Sequence, residues 1–366
     1  MKKQEKIFVI GHKNPDTDSI CSAIAYCDIK NRTTQESRYI PKRAGQINEE
    51  TEYVLNRFGV HPPGYLSNIG TQVKDMDIRL SPEANKSMSL KNAWDLMQEN
   101  SIVSLPIREK DGTLEGLITI GDIAKTYMDT TDSYLLSRAR TQYQRIAETI
   151  GGKVIEGNAH GYFIQGKIMV ATANPDKMKE YVEENDMVIM GNREEDHLQA
   201  IEQNVSCIIV GMGIEVTEKV LKLAHEKDIV IISSPYDTFT ISRLINQSIP
   251  VKYIMKTDNL VTFNTEDFTD DIQEVMIKHR HRAFPVINKK GKCIGTISRR
   301  NFLDMHRKKV VLVDHNEKDQ AVDNIDKADI MEIIDHHKLG TLQTMQPISF
   351  RNQPVGCTGT IMYQMY

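Results

Sequence analysis

The chain lacks most features that would mark a specialised environment. Its five cysteines (Cys21, Cys27, Cys207, Cys293 and Cys357) form no C-x-x-C pair, so neither a disulfide framework nor a zinc ribbon is indicated. No apolar run is long enough to span a bilayer, and the charged residues 1–6 pass directly into a strand-like segment without a signal-peptide core. Net charge is −4, which gives no basic field for nucleic acid, and no basic or aromatic-rich stretch offers a surface for bases. Nucleic acid and membrane are thereby excluded as partners. A cytoplasmic enzyme of about two to four domains is expected from a chain of 366 residues.

What the chain does carry is a set of acids and imidazoles at predicted strand ends. Ile7-Phe8-Val9-Ile10 is an apolar run of the kind a parallel strand buried on both faces requires. Gly11-His12-Lys13-Asn14-Pro15-Asp16-Thr17-Asp18-Ser19 follows, and the Ile and Ala spacing over residues 20–29 predicts a helix. Open α/β sheets bind ligands beyond the carboxyl ends of their strands, which makes His12, Asp16 and Asp18 candidate ligands. Pro15 fixes the turn and keeps a helix from running through it. A plain polar turn capped by Asp16 or Ser19 would not need His12 as well.

Two later stretches repeat the pattern. Lys309-Val310-Val311-Leu312-Val313 ends in Asp314-His315-Asn316-Glu317, and the apolar residues 330–334 end in Asp335-His336-His337. A parallel sheet would bring all three ends to one edge. Imidazole and carboxylate without thiolate suit manganese or cobalt better than a structural zinc, and the donors exceed the needs of one ion.

His-x-Asn-Pro-Asp-x-Asp-Ser, Val-Asp-His-Asn-Glu and Asp-His-His together resemble the family II inorganic pyrophosphatases of the DHH phosphoesterase superfamily. The resemblance implies two divalent ions, manganese or cobalt, admits magnesium alongside the substrate pyrophosphate, and implies hydrolysis to two phosphates. It places His12 and Asp16 on one ion and Asp18 and His336 on the other, with Asp314 bridging. The catalytic pair would be His337, facing the substrate phosphate, and Asp335, orienting the imidazoles from behind.

In the first lobe, Arg38-Tyr39-Ile40-Pro41 is predicted as a strand that stops at the proline, and residues 48–58 as a helix. After a Gly- and Pro-rich boundary at residues 59–64 the metal motifs vanish until Lys309, as an inserted module would explain. Within that insert a shift of 179 residues aligns Met97 with Met276, Pro106 with Pro285, Gly112 with Gly291, Gly116 with Gly295 and Ile118 with Ile297. Each copy is predicted as helix, strand, Gly-containing turn, strand ending in Thr119 or Ser298, then helix.

The repeat resembles tandem CBS domains. That resemblance implies ribose contacts from Asp122 and Asn301, phosphate contacts near Thr119 and Ser298, and a phosphate-binding cation at Arg280 or Arg282. Thr257 and Thr262 are further nucleotide candidates, as is Ser104, which with Val103 stands opposite Arg282 and Ala283 in the alignment. The implied regulator is an adenine nucleotide (AMP, ADP, ATP or a diadenosine polyphosphate), and paired CBS domains imply a homodimer. Between the copies, strands at residues 167–170, 187–191, 207–211 and 229–232 resemble the DRTGG domain of the regulated pyrophosphatases, read as a spacer that widens the nucleotide cleft.

The expected fold is α/β: a parallel-sheet DHH lobe interrupted by a tandem CBS pair with an α/β DRTGG-like domain between the repeats. The expected borders are 1–70 and 309–366 for the DHH lobe, 71–131 and 250–308 for the CBS domains, and 132–249 for the DRTGG-like domain. The resemblance ends in a helix start at residues 358–366, where family members continue into a further Asp for both metals and a basic second lobe. A truncated product is therefore expected. Two alternatives follow: an impaired chain that only binds metal and adenine nucleotide, or another DHH phosphoesterase acting on short nucleotides. Asp18-Ser19 speaks against the second, since those relatives carry Asp-Gly.

Overall fold

The computed structural model describes residues 5–35, 37–128, 132–172, 175–303 and 305–366. The border expected at 131/132 and the first four residues of the charged amino end lie outside these. The chain forms two compact units: Met1–Ile78 with Asn264–Arg280 and Arg299–Tyr366, and Arg79–Phe263 with His281–Ser298. Among the described residues, no helix is long and apolar enough to cross a membrane.

The first unit is built on a six-stranded sheet in which every pairing is parallel. Its order is Ser349–Asn352, Asp329–Asp335, Lys309–Val313, Glu5–Ile10, Ser37–Arg43, Gly64–Tyr65. Alternate residues of the central strands enter separate cores. Ile7, Val9, Val311, Val313 and Ile334 pack with Ala23, Tyr26, Ile361 and Met362 on one face. Ile10, Val310, Leu312 and Ile333 pack with Ile69, Val322 and Ile325 on the other. Burial on both faces is why these strands read as unbroken apolar runs rather than as alternation.

The helix Thr17–Thr33 is longer than predicted from residues 20–29. Asp16 caps it, accepting from Ser19 N at 2.9 Å. Asn48 likewise caps Glu49–Arg57. The proline stop at residue 41 does not hold: the strand Ser37–Arg43 runs through Pro41, which lies opposite Val9. Gly64–Tyr65 pairs only with Lys42 and Arg43, so the edge beside Pro41 has no ladder to interrupt.

In the second unit the four predicted strands, Ile168–Val170, Met187–Met190, Cys207–Val210 and Val230–Ser233, form a parallel sheet. A fifth strand absent from the sequence reading, Lys153–Glu156, closes its edge antiparallel. The repeat appears as two antiparallel hairpins, Ser104–Arg108 with Leu114–Thr119 and Phe284–Ile287 with Cys293–Ile297. Both shift register at the equivalent step, Ile107/Arg108 and Val286/Ile287, and both turn at a glycine with positive φ, Gly112 at 90° and Gly291 at 75°. Such a conformation costs glycine little and other residues much.

The copies diverge in their last element. The first ends in the helix Ile120–Met128, whereas the second ends in a single 3₁₀ turn, Arg299–Phe302, and not in the predicted helix. There the Arg299 guanidinium donates to the carbonyls of Met276 and His279, completing the end of the helix Thr269–Lys278. The apolar core of the second unit runs without a break from Leu90, Met97, Leu105 and Ile118 to Ile146, Phe163, Ile189, Ile209 and Ile232. The segment read as a spacer therefore shares a core with the first hairpin.

Gly45 shows how tightly the loop after the first strand is seated: a Cβ there would lie 1.9 Å from the Lys13 carbonyl oxygen. Gly45→Ala is expected to destabilise the chain by about 1–3 kcal/mol through overpacking. Urea unfolding should show a lower midpoint at unchanged slope. An unchanged midpoint would mean that the His12 loop yields freely.

Candidate metal centre

The sheet order places three strand ends side by side. Ile10 lies opposite Leu312, and Val313 opposite Ile334, so the residues that follow, Gly11-His12, Asp314 and Asp335-His336, emerge together at the carboxyl edge. Asp314 is fully buried and adopts a left-handed backbone conformation, φ 63°. His12 Nε2 lies 3.3 Å from its Oδ2 and 3.8 Å from Asp16 Oδ1. On the other side His336 Nε2 lies 3.4 Å from Asp314 Oδ1 and 3.8 Å from Asp18 Oδ2. Two donor groups result, His12–Asp16–Asp314 and Asp314–His336–His337, each with its ligand atoms within 4.8 Å of one another. Asp314 belongs to both.

These separations match the roughly 3 Å between donors that share one ion at bond lengths of about 2.0–2.2 Å. A further observation supports the fit: Asp314 Oδ2 is buried and accepts no hydrogen bond of good geometry. Leaving a buried anionic oxygen without a donor is costly, and a cation would satisfy it. The donors are imidazoles and carboxylates only, a set suited to manganese or cobalt.

Charge state follows from this crowding. Burial raises the pKa of Asp314, and the nearby Asp18 carboxylate raises it further, against the lowering effect of His12 and Thr358. For His12, burial works downward, but hydrogen bonding and attraction to Asp314, with help from Asp16, carry its pKa above that of a free imidazole. His315, wholly buried behind the site, is pushed down to about 4 by desolvation. It is a neutral ring, with Nδ1 on the Val313 carbonyl at 2.9 Å and Nε2 buried without a partner.

Asp335 is buried behind the imidazoles, as expected, but it orients only one ring. Its Oδ1 accepts from His337 Nδ1 at 2.8 Å and from the His336 amide at 2.8 Å, while the Asn316 amide group donates to Oδ2. Burial would raise the Asp335 pKa, and these donors more than offset it. The His336 ring is set by a backbone carbonyl instead, with Nδ1 3.0 Å from Val355 O, leaving Nε2 for a ligand. His337 is half exposed and stands in the second donor group as well as at the open side of the site.

Sequence reasoning missed the segment that braces the centre. Thr358 N donates to Asp18 Oδ2 at 2.6 Å, Gly359 N to Asp18 Oδ1 at 2.7 Å, and Thr358 Oγ1 to Asp314 Oδ1 at 2.9 Å. Asn352 Nδ2 holds the His337 carbonyl at 2.7 Å. The available signal was the helix start at Thr358, since first-turn amides lack helical partners and attract carboxylates.

The nucleotide candidates fall in both units, Arg280 and Asn301 in the first and the remainder in the second. Thr119 and Asp122 form a compact turn: Thr119 N and Oγ1 donate to Asp122 Oδ2 at 2.9 and 2.6 Å. Lys256 Nζ stands 3.7 Å from Asp122 Oδ1. Ser104 is buried opposite Thr119 in the first hairpin, Ser298 and Thr262 are half-buried, and Thr257 and Arg282 are exposed. Arg280 is exposed, and Asn301 Nδ2 donates to the Asp77 carbonyl at 2.5 Å.

The DRTGG domain family matches residues 145–248, and the CBS domain family matches 78–129 and 251–308. Over 99% of its length the chain is 38% identical to the cobalt-dependent inorganic pyrophosphatase of Clostridium perfringens. Over its whole length it is 33% identical to the probable manganese-dependent inorganic pyrophosphatase of Thermotoga maritima. It spans 66% of the length of each relative. A crystal structure of the CBS and DRTGG domains of the regulatory region of the Clostridium perfringens pyrophosphatase, complexed with the activator diadenosine tetraphosphate, superposes with a TM-score of 0.59. The two are 34% identical, and the match covers 63% of this chain and all of that one.

Ligation requires His12 and Asp314 to be deprotonated, and both hold their protons to higher pH than the free groups do. Manganese affinity is therefore expected to rise with pH through the region above the ordinary imidazole value and to fall away below it. Calorimetric titration at a series of pH values checks this. A profile flat across that region would mean that His12 is not a ligand.

Proposed function

We propose, from the premise that the chain belongs to the CBS-domain-containing, manganese- and cobalt-dependent (family II) inorganic pyrophosphatases of the DHH superfamily, that it supplies the two-metal site for hydrolysis of pyrophosphate to two phosphates. The observation that carries the reading is one buried carboxylate, Asp314, common to two donor groups. His12 and Asp16 would hold one ion and His336 and Asp18 the other, with Asp314 between them. When bound, a pair of such ions neutralises phosphoryl charge and makes water acidic enough to serve as a nucleophile near neutral pH.

The chain's own residues have distinct tasks in this reaction. Asp335 keeps the His337 ring fixed, with its Nδ1 proton on the carboxylate and Nε2 directed away from it. On this half-exposed side chain, that nitrogen is the group available to bind a phosphate oxygen or to accept a proton. The Val355 carbonyl fixes the His336 tautomer, so Nε2 carries the lone pair. The apolar strands beneath, Ile10, Leu312 and Ile334, keep water from the back of the site.

For domain layout we propose the DHH lobe at 1–70 and 309–366, CBS domains at 71–131 and 250–308, and the DRTGG domain at 132–249. Adenine nucleotides, the diadenosine polyphosphates among them, are proposed as regulators bound at the first CBS repeat. The Thr119–Asp122 turn would meet the ribose, and Lys256 beside it the phosphate. The activator named for the Clostridium perfringens regulatory region supports this ligand class.

Two measurements test the proposal. Phosphate release from pyrophosphate with manganese or cobalt is expected from the wild-type chain and should vanish in Asp314→Ala. Equal rates in both would put the chemistry elsewhere. Calorimetry with AMP, ADP, ATP and diadenosine tetraphosphate is expected to show binding that Asp122→Ala weakens by about one to two decades, the worth of a charge-assisted hydrogen bond. Unchanged affinity would remove the ribose role of Asp122.

A further inference from the structure

We propose that Thr358 is a positioning residue for the metal centre: its backbone N–H and its hydroxyl hold Asp18 and Asp314 at the mutual placement in which both serve the same pair of ions. The inference rests on the two-metal reading above and goes beyond it in assigning the part of the chain that sets the geometry. Asp18 comes from the first helix and Asp314 from the end of the Lys309–Val313 strand. The two carboxylates crowd one side of the site, with Asp18 Oδ2 3.8 Å and Asp314 Oδ1 3.4 Å from the same His336 Nε2. Two such groups need a donor common to both if they are to stay close before any cation arrives.

Thr358 meets that need. It is wholly buried at the start of the helix Thr358–Met365, where Cys357 provides no side-chain cap. The cap comes from Asp18: Thr358 N donates to Oδ2 and Gly359 N to Oδ1, with Ser22 Oγ on Oδ1 at 3.1 Å. Asp18 Oδ1 therefore has two protein donors, and Oδ2, with one, is the oxygen that faces His336. The Thr358 hydroxyl meanwhile donates to Asp314 Oδ1, the oxygen nearer His336, and leaves Oδ2 to His12. One residue thus selects which oxygen of each carboxylate is offered, and to which side. The first-turn amides add the favourable end of the helix dipole to Asp18.

The test uses the full chain with manganese and with cobalt as probes. Thr358→Val keeps shape and amide but removes the hydroxyl, and Thr358→Ser restores it. Thr358→Val is expected to weaken manganese binding about ten- to a hundredfold and to alter the visible absorption of bound cobalt, while Thr358→Ser stays near wild type. Should Thr358→Val fail to fold, Thr358→Ala carries the same comparison. Wild-type affinity and an unaltered cobalt spectrum in the hydroxyl-free variant overturn the role of Thr358 alone. Equal losses in the valine and serine variants also overturn it, since the hydroxyl would not be the cause. No metal binding by the wild type overturns the two-metal reading together with this inference.

Discussion

The first unit depends on burying one carboxylate without giving it a complete set of protein partners. Asp314 stands at the end of a central strand in a left-handed conformation, wholly enclosed, with one oxygen held by Thr358 and the other without a well-formed hydrogen bond. A buried charge stripped of its partner costs about 3–5 kcal/mol. A fold intended only for stability would put an apolar residue or a fully bonded asparagine there. The surrounding imidazoles supply part of the compensation, and His315, held neutral at its back, adds no positive charge of its own. The arrangement stores a demand for positive charge at a single point, and that demand is the physical content of a metal site.

That point was legible in the sequence because two signals coincide there. Strands covered on both faces must be apolar along their whole length, so Ile7 to Ile10 and the run before Asp314 stand out without any alternation. Acids and imidazoles placed directly after such runs then have few structural explanations. Even the rival reading of Asp16 as a helix cap proved compatible with ligation, because the same Oδ1 accepts from Ser19 N and lies 3.8 Å from His12 Nε2. The bracing segment was legible only as a helix start at Thr358, since its donors to Asp18 are backbone amides and carry no residue signature of their own. For the same reason the ring of His336 was assigned to Asp335, when the Val355 carbonyl holds it.

In the insert the repeat was legible through its constraints rather than its identities. Gly112 and Gly291 are both required by positive φ, and the two hairpins slip register at equivalent steps, so matching letters marked matching backbone. Where nothing constrains the backbone, the copies part. Arg299-Arg300-Asn301-Phe302 has charge to spend on the preceding helix end and winds only one 3₁₀ turn. The edge strand Lys153–Glu156 escaped notice because only two apolar residues lie between its charged ends. Pro41 misled for the opposite reason: a proline ends a strand only where its missing N–H would have had a partner.

The position of the ligands in the chain also bears on folding. The Glu5–Ile10 strand finds its neighbour Lys309–Val313 across almost the whole sequence, so closing that pair carries a large entropic cost before any contact rewards it. Parallel pairing of this kind forms late and is weak until both faces are covered. The proposed metal ligands follow these same distant strands, so an ion could bind there only after they have met. Binding to the folded state alone stabilises it by mass action, about 2.7 kcal/mol when the ion is a hundredfold above its dissociation constant. An ion bound at the proposed site would therefore also secure the strand pairing that the long intervening sequence makes costly.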